Sequence, residues 1–313
     1  AIRRLCSAPK ADVVFTSGGT EADHLAVRGL AHARRSANGA SKVIISAVEH
    51  PAVTCAADRL AQDGFEILTL PAPGGRVDAD AFRSIVSQDV AVVAIMVAHN
   101  TTGIIQPVKE VSGIAASHGV PVHTDAVQAA GKTQLEFYGL GATTLALSGH
   151  KFGGPRGVGA LVMQKCVDLV PLWAGGGQEE GKRSGSHANA LIAGMAAAAD
   201  AVELDEAGMR TKRDRFENAI VEGTHAQVLG TEYPRLANTS AVIIDGIDGR
   251  EFVAAMDEHQ IAVSAGAACH ALSGGGSPSG QVRFSMGHQT TETELSEAVK
   301  MTVEVVSKLR KKQ

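Results

Sequence analysis

In the stretch Ser148-Gly149-His150-Lys151-Phe152-Gly153-Gly154-Pro155-Arg156-Gly157, a lysine stands beside a histidine and a serine in a turn too rich in glycine for a packed core. A β-rich run, residues 143–147, leads in, and another, residues 158–163, leads out. Lys151 is therefore expected at the end of a strand. Glycine there lets backbone come close to a ligand. A desolvated lysine with a lowered pKa can form a Schiff base with a carbonyl compound. A surface turn carrying a solvated lysine has the same local pattern, so the surrounding chain must separate the two readings.

Upstream, strands and helices alternate with short connections. Residues 12–16, 42–46, 65–70, 90–98 and 121–124 read as strands; 51–62, 78–87 and 107–118 read as helices. Near-continuous apolar strands separated by helices imply a parallel sheet covered on both faces. Such sheets bind ligands beyond the carboxyl ends of their strands. His50, His99 with Asn100, Asp125 with Gln128, and Ser148 with His150 and Lys151 all fall at such ends. One polar residue there is an ordinary loop residue; a succession of them points to a site.

The first strand runs into Thr16-Ser17-Gly18-Gly19-Thr20-Glu21 and then a helical pattern through Arg35. Free backbone N–H groups and the helix dipole make such a turn ready for an anion, although an ordinary helix capped by Thr20 would look alike. It lacks the lysine of a P-loop and the third glycine of a dinucleotide fingerprint. A metal site is the competing account, because His50, His99, His123, Asp125 and His150 are all ligand types. No H-E-x-x-H or similar close pair is present, and metal chemistry leaves Lys151 without a role; the expectation is no metal.

After residue 163 the pattern changes. Gly175-Gly176-Gly177-Gln178-Glu179 and Arg183-Ser184-Gly185-Ser186 form a polar, glycine-rich loop, followed by helices over about 187–203 and 207–222. Strands near 240–245, 261–264 and 282–286, with helices over 250–258 and 291–309, describe a smaller α/β unit. The expected organisation is a large domain over 1–205 and a small domain over 206–313. In the latter, Ser264-Ala265-Gly266-Ala267-Ala268-Cys269-His270 runs into a Gly/Ser stretch, 273–280, which reads as a flexible loop. A cysteine beside such a loop is accessible; Cys55 and Cys166 read instead as small buried hydrophobes.

Composition excludes several classes. The 313 residues are 44% hydrophobic with a formal net charge of -4. The chain carries no basic block suited to nucleic acid and no apolar run long enough to span a membrane, and the expectation is that no signal peptide opens it. Four scattered cysteines without a C-x-x-C pair favour a reducing compartment, and the cytosol is the expected address.

Taken in order, these pieces resemble the pyridoxal-phosphate-dependent cysteine desulfurases and selenocysteine lyases, within the aminotransferase-like fold. The resemblance rests on residues 17–21, Glu49-His50, Asn100 with Gly103, His123-Thr124-Asp125-Ala126-Val127-Gln128, Ser148 to Lys151, Arg183-Ser184-Gly185, Gly266 to Cys269, and Arg283-Phe284-Ser285. It implies that Lys151 holds pyridoxal phosphate and later moves protons. Asp125 would pair with the pyridine nitrogen, and His50 would stack on the ring. Asn100 and Gln128 would reach its phenolic oxygen, while Gly19, Thr20, Ser148 and His150 would hold the phosphate. Arg283 would bind the substrate carboxylate, and Cys269 would take the sulfur as a persulfide. The family forms homodimers, and Ser186 would reach the partner's phosphate.

His99 and Thr101 flank Asn100 where many relatives carry Asn and Glu. The stretch between Cys269 and Arg283 is short, and the family's N-terminal segment is absent from the sequence. The resemblance therefore implies either a trimmed relative or a sequence lacking part of a longer chain.

The first expectation is conversion of L-cysteine to L-alanine with the sulfur held as a persulfide on Cys269; the resemblance adds a sulfur-acceptor protein, as in iron–sulfur cluster biogenesis, as a candidate partner. Selenocysteine lyase activity, β-elimination to pyruvate and a silent binding subunit remain as alternatives.

Overall fold

The structure is a computed structural model and describes residues 1–266 and 280–311. Cys269, with the rest of its motif after Gly266, and residues 273–279 of the Gly/Ser stretch lie outside the described residues. The chain divides into two compact units, Ala1–His99 with Gln106–Leu204, and Asn100–Ile105 with Asp205–Gln313.

The first unit runs α1 (Ile2–Leu5), β1 (Asp12–Thr16), α2 (Gly19–Asn38), β2 (Lys42–Ser46), α3 (Pro51–Gln62), β3 (Glu66–Leu70), α4 (Ala79–Ile85) and β4 (Val90–Ala94). It continues with α5 (Val108–Ser117), β5 (Val122–Asp125), α6 (Phe137–Leu140), β6 (Thr144–Ser148), β7 (Gly159–Met163) and α7 (Asn189–Asp200). Its seven strands form one sheet in the order β1-β7-β6-β5-β4-β2-β3. The neighbours from β6 across to β3 are parallel, whereas β7 is antiparallel to both β1 and β6. The reversal follows from the connection: a parallel return needs a crossover of a dozen or more residues, usually a helix. Only a glycine-rich turn separates β6 from β7. That turn carries Lys151, so the break in the parallel pattern and the candidate lysine share one loop.

Burial follows the sequence pattern. Val43, Ile45, Val53, Ala57, Leu60, Val92 and Ala94 join Val27 and Leu30 in one core between α2, α3 and the sheet. The other side of α2 packs Ala22, Leu25 and Ala26 against Val14, Ala146 and Leu161. Each of the valine, leucine and isoleucine side chains among them contributes about 1.5–3 kcal/mol on full burial. The helix ends on Gly39 in the left-handed region at φ 78°, which a glycine adopts at little cost. The strand expected over 90–98 closes its ladder at Ala94, although the Ile95 and Val97 amides still donate to the His123 and Asp125 carbonyls at 3.1 and 2.8 Å.

The second unit contains α8 (Glu206–Thr224), β8 (Gln227–Val228), β9 (Thr239–Ile243), α9 (Gly249–Asp257), β10 (Ser264–Ala265), β11 (Gln281–Ser285) and α10 (Glu292–Arg310). Its strands form an antiparallel sheet in the order β10-β11-β9-β8. Phe216, Phe252, Phe284 and Val305 lie in the core that this sheet shares with α8, α9 and α10. Thr291 and Glu294 close a capping box at the start of α10. Residues 100–105 join this unit because the Ile105 amide donates to the Pro234 carbonyl and the Leu236 amide to the Gly103 carbonyl, both at 2.8 Å.

The cysteines differ from expectation. Cys55 and Cys166 are exposed, whereas Cys6 is buried and its thiol is pushed up to about 12 by desolvation. Cys55 lies on the side of α3 opposite Ala52, Val53, Ala56 and Leu60, and Cys166 occupies a left-handed turn at φ 60°. Among the described residues no helix is long and apolar enough to cross a membrane.

Candidate active site

Four chain segments of the first unit bring polar groups to the carboxyl ends of β2, β5, β6 and β1. After β2, His50 caps α3: its Nδ1 accepts the Ala52 amide at 3.1 Å, with Pro51 in the first helical position. At the end of β5, Asp125 is buried and its Oδ1 accepts the Val127 amide at 2.8 Å. Past β6, Ser148 Oγ lies 3.0 Å from His150 Nδ1, and Lys151 follows within a short 3-10 turn, Gly149–Phe152. From β1 the chain turns through Gly18 into α2, where Thr20 is exposed.

Electrostatics tie these groups together. Burial raises the Asp125 carboxyl to about 6, while the Val127 amide and the Lys151 ammonium hold it down. The His150 ring is pushed down by desolvation and then by Lys151, Arg156 and Lys132, so it faces a cationic neighbourhood. Gln128 accepts from Lys132 Nζ at 2.8 Å, and Ser186 is exposed.

The phosphate-sized turn is built by close approach. A Cβ on Gly19 would stand 2.7 Å from Val127 Cγ2, and one on Gly159 would stand 2.5 Å from the Gly18 carbonyl carbon. Thr16 Oγ1 donates to the Gly18 carbonyl at 2.9 Å, and the first intrahelical amide bond runs from Ala22 to Gly18. The N–H groups ahead of it have no intrahelical partner. A cationic ring nitrogen suits the buried, desolvated Asp125, and an anion suits the α2 turn. The donor set thus fits a cofactor bearing a basic ring nitrogen, an aldehyde and a phosphate.

Asn100 and Arg283 belong to the second unit. Arg283 Nη1 donates to the Asn100 carbonyl at 2.6 Å and Nη2 to Ser264 Oγ at 3.1 Å. Thr101 Oγ1 donates to Asn100 Oδ1 at 3.3 Å.

Sequence reasoning assigned no role to two buried acids. Asp23 Oδ1 lies 3.0 Å from His123 Nε2, whose ring was weighed above as a metal ligand; both of its nitrogens face protein partners. Glu49 Oε1 accepts the Met96 amide at 2.8 Å and also meets Ser46 Oγ. Polar Asp23 among Ala22, Leu25 and Ala26 was the available signal.

The aminotransferase class-V family model matches residues 1–297. A cysteine desulfurase of Cereibacter sphaeroides is 39% identical over 96% of this chain and 81% of its own length. An IscS-like cysteine desulfurase of Mycobacterium tuberculosis is 38% identical over 96% and 82%. Among solved structures, a NifS-like protein superposes with a TM-score of 0.88 at 29% identity, covering 98% of this chain and 85% of that one. DndA from Streptomyces lividans superposes with a TM-score of 0.77 at 31% identity, over 91% and 85%. With the lysine turn, the buried aspartate and the anion-ready helix start all in place, the chain belongs to the class-V aminotransferases and, within them, to the pyridoxal-phosphate-dependent cysteine desulfurases.

Proposed function

We infer that this chain is a cysteine desulfurase that takes sulfur from L-cysteine and releases L-alanine. The observation that carries the reading is the convergence of Lys151, Asp125 and the α2 turn at the strand ends of one sheet, in a chain 39% identical to a cysteine desulfurase. Pyridoxal phosphate, when bound, supplies an electron sink for the pair left on the substrate carbon. Lys151 would hold it and move the proton between substrate carbons. Asp125 would keep the ring nitrogen protonated, and His50 would lie against the ring. Gln128 and Asn100 would serve its phenolic oxygen; Gly19, Thr20, Ser148 and His150 its phosphate. Arg283 would hold the substrate carboxylate through a paired hydrogen bond.

Cys269, on the small domain, would supply the thiolate. Its sulfur attacks the substrate sulfur, so that an S–S bond forms and the substrate C–S bond breaks. The electron pair ends on the former Cβ, which is protonated to give alanine, and Cys269 keeps the sulfur as a persulfide. An acceptor protein, such as one serving iron–sulfur cluster assembly, would then receive it.

A homodimer is supported by α7, an alanine-rich helix on which Ala190, Ala193 and Ala197 are exposed, and by Trp173, 46% exposed, in the loop before it. Ser186 would reach the partner's cofactor. The exposed free cysteines Cys55 and Cys166 support a reducing compartment such as the cytosol.

Product analysis with L-cysteine tests the reading. Alanine from the wild type and none from Cys269→Ala is expected. Pyruvate from both would replace the desulfurase with a β-lyase, and faster turnover of L-selenocysteine would favour a selenocysteine lyase.

A further inference from the structure

Glu21 places a negative charge in the first turn of α2, beside the turn assigned above to the cofactor's phosphate. Its Oε2 accepts the Ser17 amide at 2.7 Å, so the carboxylate braces that turn directly. A carboxylate near a helix start is favourable in itself, but it competes with a bound dianion for the same positive field. The structure provides the compensation. Arg183 Nε donates to Glu21 Oε1 at 2.8 Å and Nη2 to Oε2 at 3.4 Å, a two-point pair whose side chains are only 22% and 9% exposed.

The arginine is itself held. Trp173 lies 5.8 Å from the guanidinium carbon, and its indole N–H donates to the Ser184 carbonyl at 3.2 Å. Ser184 Oγ donates to the Gly176 carbonyl at 2.8 Å, and the Gly185 amide to Gln178 Oε1 at 3.1 Å. Burial pushes the Glu21 carboxyl up, but the bonds from Arg183 and Ser17 more than offset it and keep the group ionised. Glu179, in the same loop, adds to the field on Arg183.

We propose that Arg183 is a positioning residue for the cofactor's phosphate, which it serves by pinning and neutralising Glu21 at residues 17–20. The proposal rests on the assignment of that turn to the phosphate. It separates the two functions of Glu21: the carboxylate is needed for its bond to Ser17, and its charge is tolerated only with Arg183 on it. An arginine serving merely to staple the loop would show no such interaction.

The test is a double-mutant cycle on cofactor-stripped protein, with Arg183→Met, Glu21→Gln and both together. Binding of pyridoxal phosphate and of unphosphorylated pyridoxal is followed by absorbance. Arg183→Met is expected to weaken pyridoxal phosphate binding by about tenfold, with a deficit that shrinks in high salt. The double variant, in which the amide still accepts from Ser17, is expected to recover to within about threefold of wild type. Pyridoxal should bind all four proteins alike, which also reports on folding.

Three outcomes overturn the proposal while leaving the phosphate assignment standing. These are wild-type affinity in Arg183→Met, a double variant weaker than the single, or a parallel loss of pyridoxal binding. A wild-type protein that binds pyridoxal as tightly as its phosphate overturns the assignment and the proposal with it.

Discussion

Asp23 Oδ1 and His123 Nε2 lie 3.0 Å apart in the fully buried interior beneath the candidate site, and the other imidazole nitrogen lies 2.9 Å from Thr144 Oγ1. Burial drives the imidazole down to about 3, so the ring is neutral. Burial, with the nearby Asp125 and Glu49, drives the Asp23 carboxyl upward. A neutral acid donating to Nε2, with Nδ1–H donating to Thr144, satisfies every partner without a buried charge. On this account Asp23→Asn keeps the donor and costs within about 1 kcal/mol, whereas His123→Leu strands two polar groups and costs about 3 kcal/mol. Urea unfolding of the cofactor-stripped variants checks both values. An equal, large loss for Asp23→Asn would mean that Asp23 is ionised.

Glu49 yields a pH dependence. Burial raises its carboxyl from 4.5 to about 8; the Ser46 and Met96 bonds lower it, and Asp125 raises it further. The folded-state value lies above the unfolded one, so the group's contribution is complete below pH 4.5 and is lost as pH rises toward about 8. Asp125, raised to about 6, adds a loss of the same sign over a lower window. Glu49→Gln cannot lose a proton, and its amide oxygen still accepts from Met96. The melting temperature of the stripped variant should therefore decline less than that of the wild type between pH 5 and 8. Superimposable pH profiles would show that Glu49 is already ionised at pH 5.

The strand ends were legible because hydrophobic runs and glycine turns are local. His50, Asp125 and Lys151 could each be placed from the strand and turn immediately around them. The Asp23–His123 pair was not legible, since its partners are joined only when α2 packs across β5, 100 residues later in the chain. The direction of β7 was missed for a different reason. Alternation and β-propensity are blind to strand direction, which here is set by the turn after Ser148. Asn100 reads as a residue at the end of the strand over 90–98, yet backbone bonds near Pro234 and Leu236 draw residues 100–105 into the second unit.

Gly18, in the turn proposed for the phosphate, and Gly159, which packs against it from β7, should respond oppositely to alanine. At Gly159 the new methyl would meet the Gly18 carbonyl carbon at 2.5 Å and the Leu147 carbonyl oxygen at 2.6 Å, both backbone atoms that cannot step aside. Overpacking there should cost about 1–3 kcal/mol and weaken pyridoxal phosphate binding by displacing Gly18. At Gly18 nothing lies within 4 Å of the added carbon, and the backbone is extended at φ 162°. Gly18→Ala should therefore melt with the wild type. Paired melting curves with and without cofactor read both effects; a Gly18→Ala variant as damaged as Gly159→Ala would contradict the described turn.

Arg283 is poised through its fork rather than its charge alone. Its two terminal nitrogens donate to the Asn100 carbonyl at 2.6 Å and to Ser264 Oγ at 3.1 Å, and Ser264 is its register partner across β10 and β11. A lysine offers a single ammonium in place of that planar fork. Arg283→Lys should raise KM for L-cysteine by about 10–100-fold, as expected for losing one arm of a bidentate carboxylate contact, while cofactor absorbance stays intact. Ser264→Ala, which removes the hydroxyl that accepts from Nη2 but keeps the fork, should shift KM by no more than about threefold. Steady-state kinetics on the two variants decide the matter. A fall in kcat with KM unchanged in Arg283→Lys would remove Arg283 from substrate binding and leave it a structural tie between β11 and residues 100–105.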